Sequence, residues 1–202
     1  MTARESIKAA ARGAAHVVVL PLLPSFALRT ALFGRDRAVE ASMQWLCLIP
    51  GLIGQYVRRA FLSHAIAACH HSVVVECGTT LSRAGARLDA NVYIGPGCRL
   101  GLVHVERDVL LAAGVHVPSG GRTHGIDDLS IPIREQGGDE RCVRIGAGSW
   151  IGESAVIMAD VAEDSVIGAG SVVTRPVPAR SVAAGVPARV LRHRDQPSAR
   201  AV

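Results

Sequence analysis

Residues 145–174 read IGAGSWIGESAVIMADVAEDSVIGAGSVVT. An aliphatic residue followed by glycine recurs on a six-residue beat, at Ile145-Gly146, Ile151-Gly152 and again at Ile167-Gly168. A helix needs a beat of about 3.6 and a simple strand a beat of 2. A beat of six fits short strands joined by tight corners, with one branched aliphatic per edge pointing inward. That is the sequence signature of a parallel β-helix built from hexapeptide repeats.

The beat extends upstream through Val75, Leu81, Leu88, Ile94, Leu100, Val105, Leu111 and Val117, at spacings of six, seven, six, six, five, six and six. Gly95 and Gly101 follow two of these aliphatics. One interval departs from it. Ile157 and Ile167 are ten residues apart, two short of two hexads, so one corner there must be tightened or flattened.

Composition agrees with this architecture. Aromatic residues make up only 3% of 202 residues, too few for a core of packed rings, whereas stacked Val, Ile and Leu need none. The formal net charge is +5, and of the 22 basic residues only Lys8 is a lysine. Arginine suits forked recognition of phosphates and carboxylates. The basic residues are scattered, with no helical basic stripe and no interleaved aromatics, which argues against a nucleic-acid partner. Five cysteines (Cys47, Cys69, Cys77, Cys98 and Cys142) form no CxxC pair, which favours reduced thiols and a cytoplasmic protein over a disulfide framework.

Residues 1–70 differ from the rest and read as a helical, apolar extension. Residues 2–15 favour a helix. The apolar run 16–28 is broken by Pro21 and Pro24 and is too short for an ordinary spanning helix. Arg4 and Glu5, followed by a long mildly polar stretch, give little support to a cleavable signal peptide. A second apolar segment, 42–62, breaks at Pro50-Gly51 and carries Trp45, Tyr56, Arg58 and Arg59 around a Leu/Ile face. Such a pattern fits a helix lying in a membrane interface, with peripheral contact through residues 16–62. It fits equally well helices that pack on the β-helix or on a partner subunit.

The β-helix is expected over residues 71–193. Residues 118–142, PSGGRTHGIDDLSIPIREQGGDERC, break the beat and predict an extended functional loop. Arg175-Pro176-Val177-Pro178 stops the repeat. GVPARVLR, residues 185–192, is expected to form a short closing helix, and residues 194–202 a loose tail.

SWIGESAVI (149–157), VIGAGSVVTRPVP (166–178) and VAAGVPARVLR (182–192) closely resemble the left-handed β-helix acyltransferases of the hexapeptide family. That family includes serine, maltose and galactoside acetyltransferases and polysaccharide O-acetyltransferases, and the resemblance covers roughly residues 73–193. NVYIGPGCRLGLVHV (91–105) and the stretch around Tyr56–Phe61 look, more loosely, like exopolysaccharide acyltransferases. The resemblance implies an all-β, left-handed parallel β-helix, a homotrimer, and acetyl-CoA held between two subunits as donor, with no metal.

It also implies roles for individual residues. His124, on the loop after Val117, would be the general base that deprotonates the acceptor hydroxyl. Asp127 or Asp128 stands close enough in sequence to orient its ring. Trp150, Gly152 and Ala169 would line the pantetheine arm. Thr174, Arg175 and Arg192 would hold the phosphate end. Asp127, Asp128, Arg134 and Glu135 are candidates for the hydroxyls of a sugar or polysaccharide-precursor acceptor. His116 is the alternative base, and its alternation with Val115 and Val117 puts it on the outside of the coil. Two other readings are a γ-carbonic-anhydrase-like metalloprotein, for which His104, His116 and His124 would have to converge, and a non-catalytic scaffold in a polysaccharide synthesis complex.

Overall fold

A computed structural model describes residues 3–195. Four helices come first: α1 (Ala3–Val19), α2 (Leu22–Phe33), α3 (Arg35–Leu46) and α4 (Gly51–Ala65). Their breaks follow the sequence. Pro21 separates α1 from α2, whose axes differ by 53°. Pro24 lies in the first turn of α2, where a missing N–H costs nothing. Gly34, at φ 86°, turns the chain into α3, and Pro50 precedes α4. Phe26 and Phe61 meet edge to face at 5.3 Å inside the bundle.

Short strands follow. They are β1 (Ala68–Cys69), β2 (Val74–Val75), β3 (Thr80–Leu81), β4 (Arg87–Leu88), β5 (Tyr93–Ile94) and β6 (Arg99–Leu100). Next come β7 (Val103–Val105), β8 (Leu110–Leu111), β9 (His116–Val117), β10 (Val143–Ile145), β11 (Trp150–Ile151) and β12 (Val156–Ile157). The chain closes with β13 (Val166–Ile167), β14 (Val172–Val173), β15 (Ser181–Gly185) and β16 (Ala188–His193). They stack into three sheets: β1-β4-β7-β10 on the first face, β2-β5-β8-β11-β13-β15-β16 on the second, and β3-β6-β9-β12-β14 on the third. All these pairings are parallel except β15 with β16. The result is the expected parallel β-helix, of about six turns, carrying N-terminal helices.

The inward column consists of the residues on the six-residue beat. Val75, Leu81, Leu88, Ile94, Leu111, Val117, Ile145, Ile151 and Ile157 are all fully buried. Where a glycine follows the aliphatic, it sits where coils touch. A Cβ on Gly146 would lie 2.4 Å from the backbone nitrogen of Glu163, and one on Gly152 would lie 2.5 Å from that of Ala169. The short interval resolves at Val161, which takes the inward place four residues after Ile157 and bridges Ile145 and Val177. The edge on the first face is thus shortened to a single bridging residue.

Two expectations need correction. The closing helix over 185–192 is absent. Residues 181–193 instead form an antiparallel hairpin, β15–β16, that caps the second face, with Val186-Pro187 at its turn. β15 continues the parallel ladder from β13. A sheet edge with unpaired hydrogen-bonding groups favours another strand over a proline-containing helix. The second correction concerns α4. Arg58 and Arg59 lie inside the protein rather than flanking an exposed apolar face. Arg58 donates to the carbonyls of Val75 (2.9 Å), Leu46 (3.0 Å) and Ile49 (2.6 Å), so it caps the end of α3 and ties the helices to β2. Trp45, Leu52 and Ile53 are exposed by 76, 70 and 74%. Among the described residues no single helix is long and apolar enough to cross a membrane, although α1 and α2 together form a bent apolar pair. Of the expected tail, residues 196–202 lie outside the described residues.

Candidate active site

The three outer faces have different chemistry. The first is charged: His104 contacts Asp89 at 3.0 Å, and Arg144 contacts Glu106 at 2.6 Å. The second is apolar, with Val74, Tyr93, Leu110, Trp150, Val166 and Val182 in one column. The third begins with Thr80, Arg99 and His116, which stack in register on β3, β6 and β9.

That polar column forms the wall of a cavity of about 370 Å³. His116, Arg99 and Thr80 line one side, Arg83 and Glu40 the rim, and Ser119, Thr123, His124 and Glu140 come from the loop. The two histidines proposed as base and alternative base therefore share one cavity. His116 is exposed on the outside of the coil, as its alternation predicts. Burial, and then the charge of Arg99, lower its pKa from the ordinary histidine value.

The loop is held at both ends. The Ser119 hydroxyl oxygen accepts from the Leu102 amide of the coil at 2.9 Å, and the Arg141 amide donates to the Ser119 carbonyl at 2.9 Å. Arg122 and Asp139 bridge its two limbs. Close to His124 the limbs almost touch. A Cβ on Gly138 would lie 2.0 Å from the Thr123 carbonyl oxygen and 2.7 Å from the His124 amide nitrogen. Gly138 is therefore what lets the chain pass against His124. Arg83 grips the Glu140 carboxylate through both oxygens, one contact being 2.7 Å. Asp36 at the start of α3 also reaches Arg83, at 3.8 Å. The Arg83 hydrogen bond, together with the charges of Arg83 and His124, holds Glu140 below the usual carboxylate range.

Glu140 is thus the carboxylate whose charge couples to His124, and the sequence reading missed it. Asp128 spends its carboxylate on the Ser130 amide (2.8 Å) and hydroxyl (2.6 Å), which lower its pKa. Asp127 shares a separate hollow with His124, Arg122 and Asp139. Arg134 lies on a single 3-10 turn (Ile133–Glu135), contacts Glu135 at 3.6 Å and faces solvent. It lines neither hollow. His104 is on the first face and His116 on the third, so the three histidines do not converge within the chain. Among the described residues no group of three or more His, Cys, Asp or Glu side chains is arranged to hold a metal.

The expected donor residues fall into three places. Trp150 and Arg192 belong to the second face, since Trp150 pairs with Val166, Val166 with Val182 and Val182 with Arg192. Gly152 and Ala169 stack at the next corner. Thr174 and Arg175 follow β14 at the corner after that. Thr174 lines a hollow with Arg122, Asp139 and Arg141, on the side of the loop stem away from the Thr80–His116 column.

Solved structures share this architecture. A maltose O-acetyltransferase from Clostridium difficile superposes with a TM-score of 0.67 over 78% of this chain and 87% of its own, at 22% identity. A galactoside acetyltransferase in complex with coenzyme A gives 0.62 over 79 and 80%, at 24% identity. The fold is that of the hexapeptide-repeat acetyltransferases. A hexapeptide-repeat acetyltransferase from Vibrio cholerae gives 0.64 over 79 and 92%, at 20% identity. Sequence relatives match over shorter stretches. The galactoside O-acetyltransferase of Escherichia coli is 52% identical over 52 residues, 25% of this chain and 26% of its own. A probable acetyltransferase of Mycobacterium tuberculosis is 36% identical over 74 residues, 36% of this chain and 25% of its own. The matched part spans about a quarter of the length of these relatives. No family model matches the chain.

The ring shifts make a statement about acid stability. His16, His71 and His116 all have pKa values lowered in the folded protein, each first by burial. Protonation therefore favours the unfolded chain. Their contribution is complete above the ordinary histidine pKa of about 6.5 and is lost as pH falls through the lower folded values. The thermal unfolding midpoint is expected to drop between neutral pH and mildly acidic pH. His116→Gln should remove part of that drop. A midpoint that stays level or rises over this window would contradict the assignment.

Proposed function

We propose that this chain is an acetyl-CoA-dependent O-acyltransferase that acetylates a hydroxyl of a sugar or polysaccharide precursor and works as a homotrimer. The observation that carries the reading is His124. A glycine-tight loop holds it over a polar cavity, in a fold whose solved neighbours include structures with coenzyme A and with acetyl-CoA. The short stretches of sequence identity with acetyltransferases support the same activity.

In this reading His124 takes the proton of the acceptor hydroxyl as its oxygen attacks the thioester carbonyl. The tetrahedral intermediate collapses, the C–S bond breaks, and the coenzyme A thiolate leaves with the proton that His124 held. No covalent enzyme intermediate forms, and the proposed reaction calls on no metal. Arg99 supplies positive charge at the cavity for the developing oxyanion. Glu140 is the carboxylate that balances the His124 imidazolium. Asp127 is the loop carboxylate best placed to meet acceptor hydroxyls, from the hollow it shares with His124.

The donor would lie along Trp150, Gly152 and Ala169, with its phosphates toward Thr174, Arg175 and Arg192. These residues occupy separate faces and corners of one chain, which supports a groove completed by a neighbouring subunit. The apolar second face, with Trp150 exposed by 52%, supports the same assembly. The exposed apolar residues of α3 and α4, with the bent pair α1–α2, support a peripheral position on the cytoplasmic face of a membrane.

Calorimetric titration tests the donor site. Arg175→Ala and Arg192→Ala should each weaken coenzyme A by about tenfold to a hundredfold, as expected for loss of a charge-assisted phosphate contact. The 3′-dephospho form should lose much less. Equal losses for both ligands would remove these arginines from the 3′-phosphate.

A further inference from the structure

Where α1 and α4 meet the first coil, the chain encloses a second cavity, of about 360 Å³. It shares no lining residue with the cavity at His124. Lys8 and Arg12 of α1, Arg59 of α4 and His71 of the β1–β2 turn all line it, and among the described residues no carboxylate does. Gln55, also on its wall, is turned to Glu76 at 2.8 Å, and Glu76 is not part of the lining.

These groups act on one another. Burial, and then the charge of Arg12, lower the pKa of Arg59. Burial, and then the charges of His70, Arg12 and Arg59, lower that of His71. Arg59 is only 4% exposed. Its Nη1 donates to the His71 carbonyl, and the Tyr56 ring centre lies 5.4 Å from its guanidinium carbon. Its Nη2 is buried without a hydrogen-bond partner. Arg59 thus keeps an unused donor, set among like charges with no carboxylate among the described residues of the lining. The rim indicates what else an anion bound there would carry. Leu52 lines the cavity, and it and the adjacent Ile53 are largely exposed.

We propose that this cavity binds a phosphate group, presented as the head of an anionic lipid whose chains lie along Leu52 and Ile53. Phosphate supplies the charge that Lys8, Arg12 and Arg59 need, and acceptor oxygens for them and for the His71 ring. The proposal does not depend on acyl transfer at His124. It gives the N-terminal helices a specific ligand rather than a general affinity for apolar surfaces.

The test uses the full-length protein. One arm is flotation with phosphatidylcholine vesicles with and without phosphatidic acid. The other is calorimetry with inorganic phosphate and glycerol phosphate. The double variant Lys8→Ala/Arg12→Ala changes side chains on the outer part of α1 and leaves buried Arg59 in place. Arg37→Ala, at an exposed position on α3 away from the cavity, is the control. Binding to phosphatidic acid vesicles should weaken by about tenfold to a hundredfold in the double variant and stay unchanged in the control. Binding of the soluble phosphates alone, with the same loss, would keep the site and make a free phosphate compound its ligand. Binding of neither probe, or equal binding by wild type and double variant, would overturn the proposal.

Discussion

His124→Ala is expected to lower kcat by about 10²–10⁴-fold, the usual cost of losing a general base, with acetyl-CoA affinity nearly unchanged. The expectation rests on position. His124 lines the cavity on the third face, whereas the proposed donor residues lie on the second face and at two corners. His116 lines the same cavity, so His116→Ala is the paired variant and should stay within about tenfold of wild type, short of the loss that a general base brings. An inactive His116→Ala beside an active His124→Ala would move the base from the loop to the coil.

Gly138→Ala should cost about a hundredfold in kcat without touching any reacting group. A Cβ at this position meets the Thr123 carbonyl oxygen at 2.0 Å and the His124 amide at 2.7 Å, so the loop limbs must part. Displacing a catalytic group by about 1 Å is enough for a loss of that size. The substitution lies on an exposed loop, outside the β-helix core, so circular dichroism and the unfolding midpoint should change little. The coenzyme A affinity should also hold. A Gly138→Ala protein with full activity would mean that the limbs do not position His124. Loss of folding would make Gly138 a structural residue of the loop stem instead.

The coil was legible because its inward residues keep a six-residue beat with only single-residue slips upstream of the loop, and side-chain burial at Val75, Leu81 and the later positions follows it directly. Val161 was harder to place because the four-residue edge breaks that beat. The hairpin at 181–193 was misread because GVPARVLR contains good helix formers, and what decides its conformation is a distant feature, the open edge of β13. In the candidate site, the motif points to His124, and the structure places it on the cavity wall. Arg99 was legible in principle, since it precedes an inward aliphatic on the same face as His116, one coil earlier. Glu140 and Arg83 were not. They are 57 residues apart, and no local pattern pairs a loop carboxylate with an arginine on an early coil. Asp128 was given a role toward His124 from proximity in sequence, but a short loop turn lets it satisfy itself on Ser130. Arg58 and Arg59 read as surface charge because arginine is seldom buried. The carbonyl oxygens that accept Arg58 belong to α3, the α3–α4 connection and β2, and that meeting is set by tertiary packing.

The most direct measurement of the central claim is mass-spectrometric detection of acetyl transfer from acetyl-CoA to a panel of saccharide hydroxyl acceptors, run side by side with wild type and His124→Ala. The account predicts an acceptor gaining one acetyl group, free coenzyme A released in equal amount, and both products falling by about 10²–10⁴-fold in the variant. Transfer that proceeds equally well without His124, or an unmodified panel with no coenzyme A released by a protein that binds the donor, would contradict it.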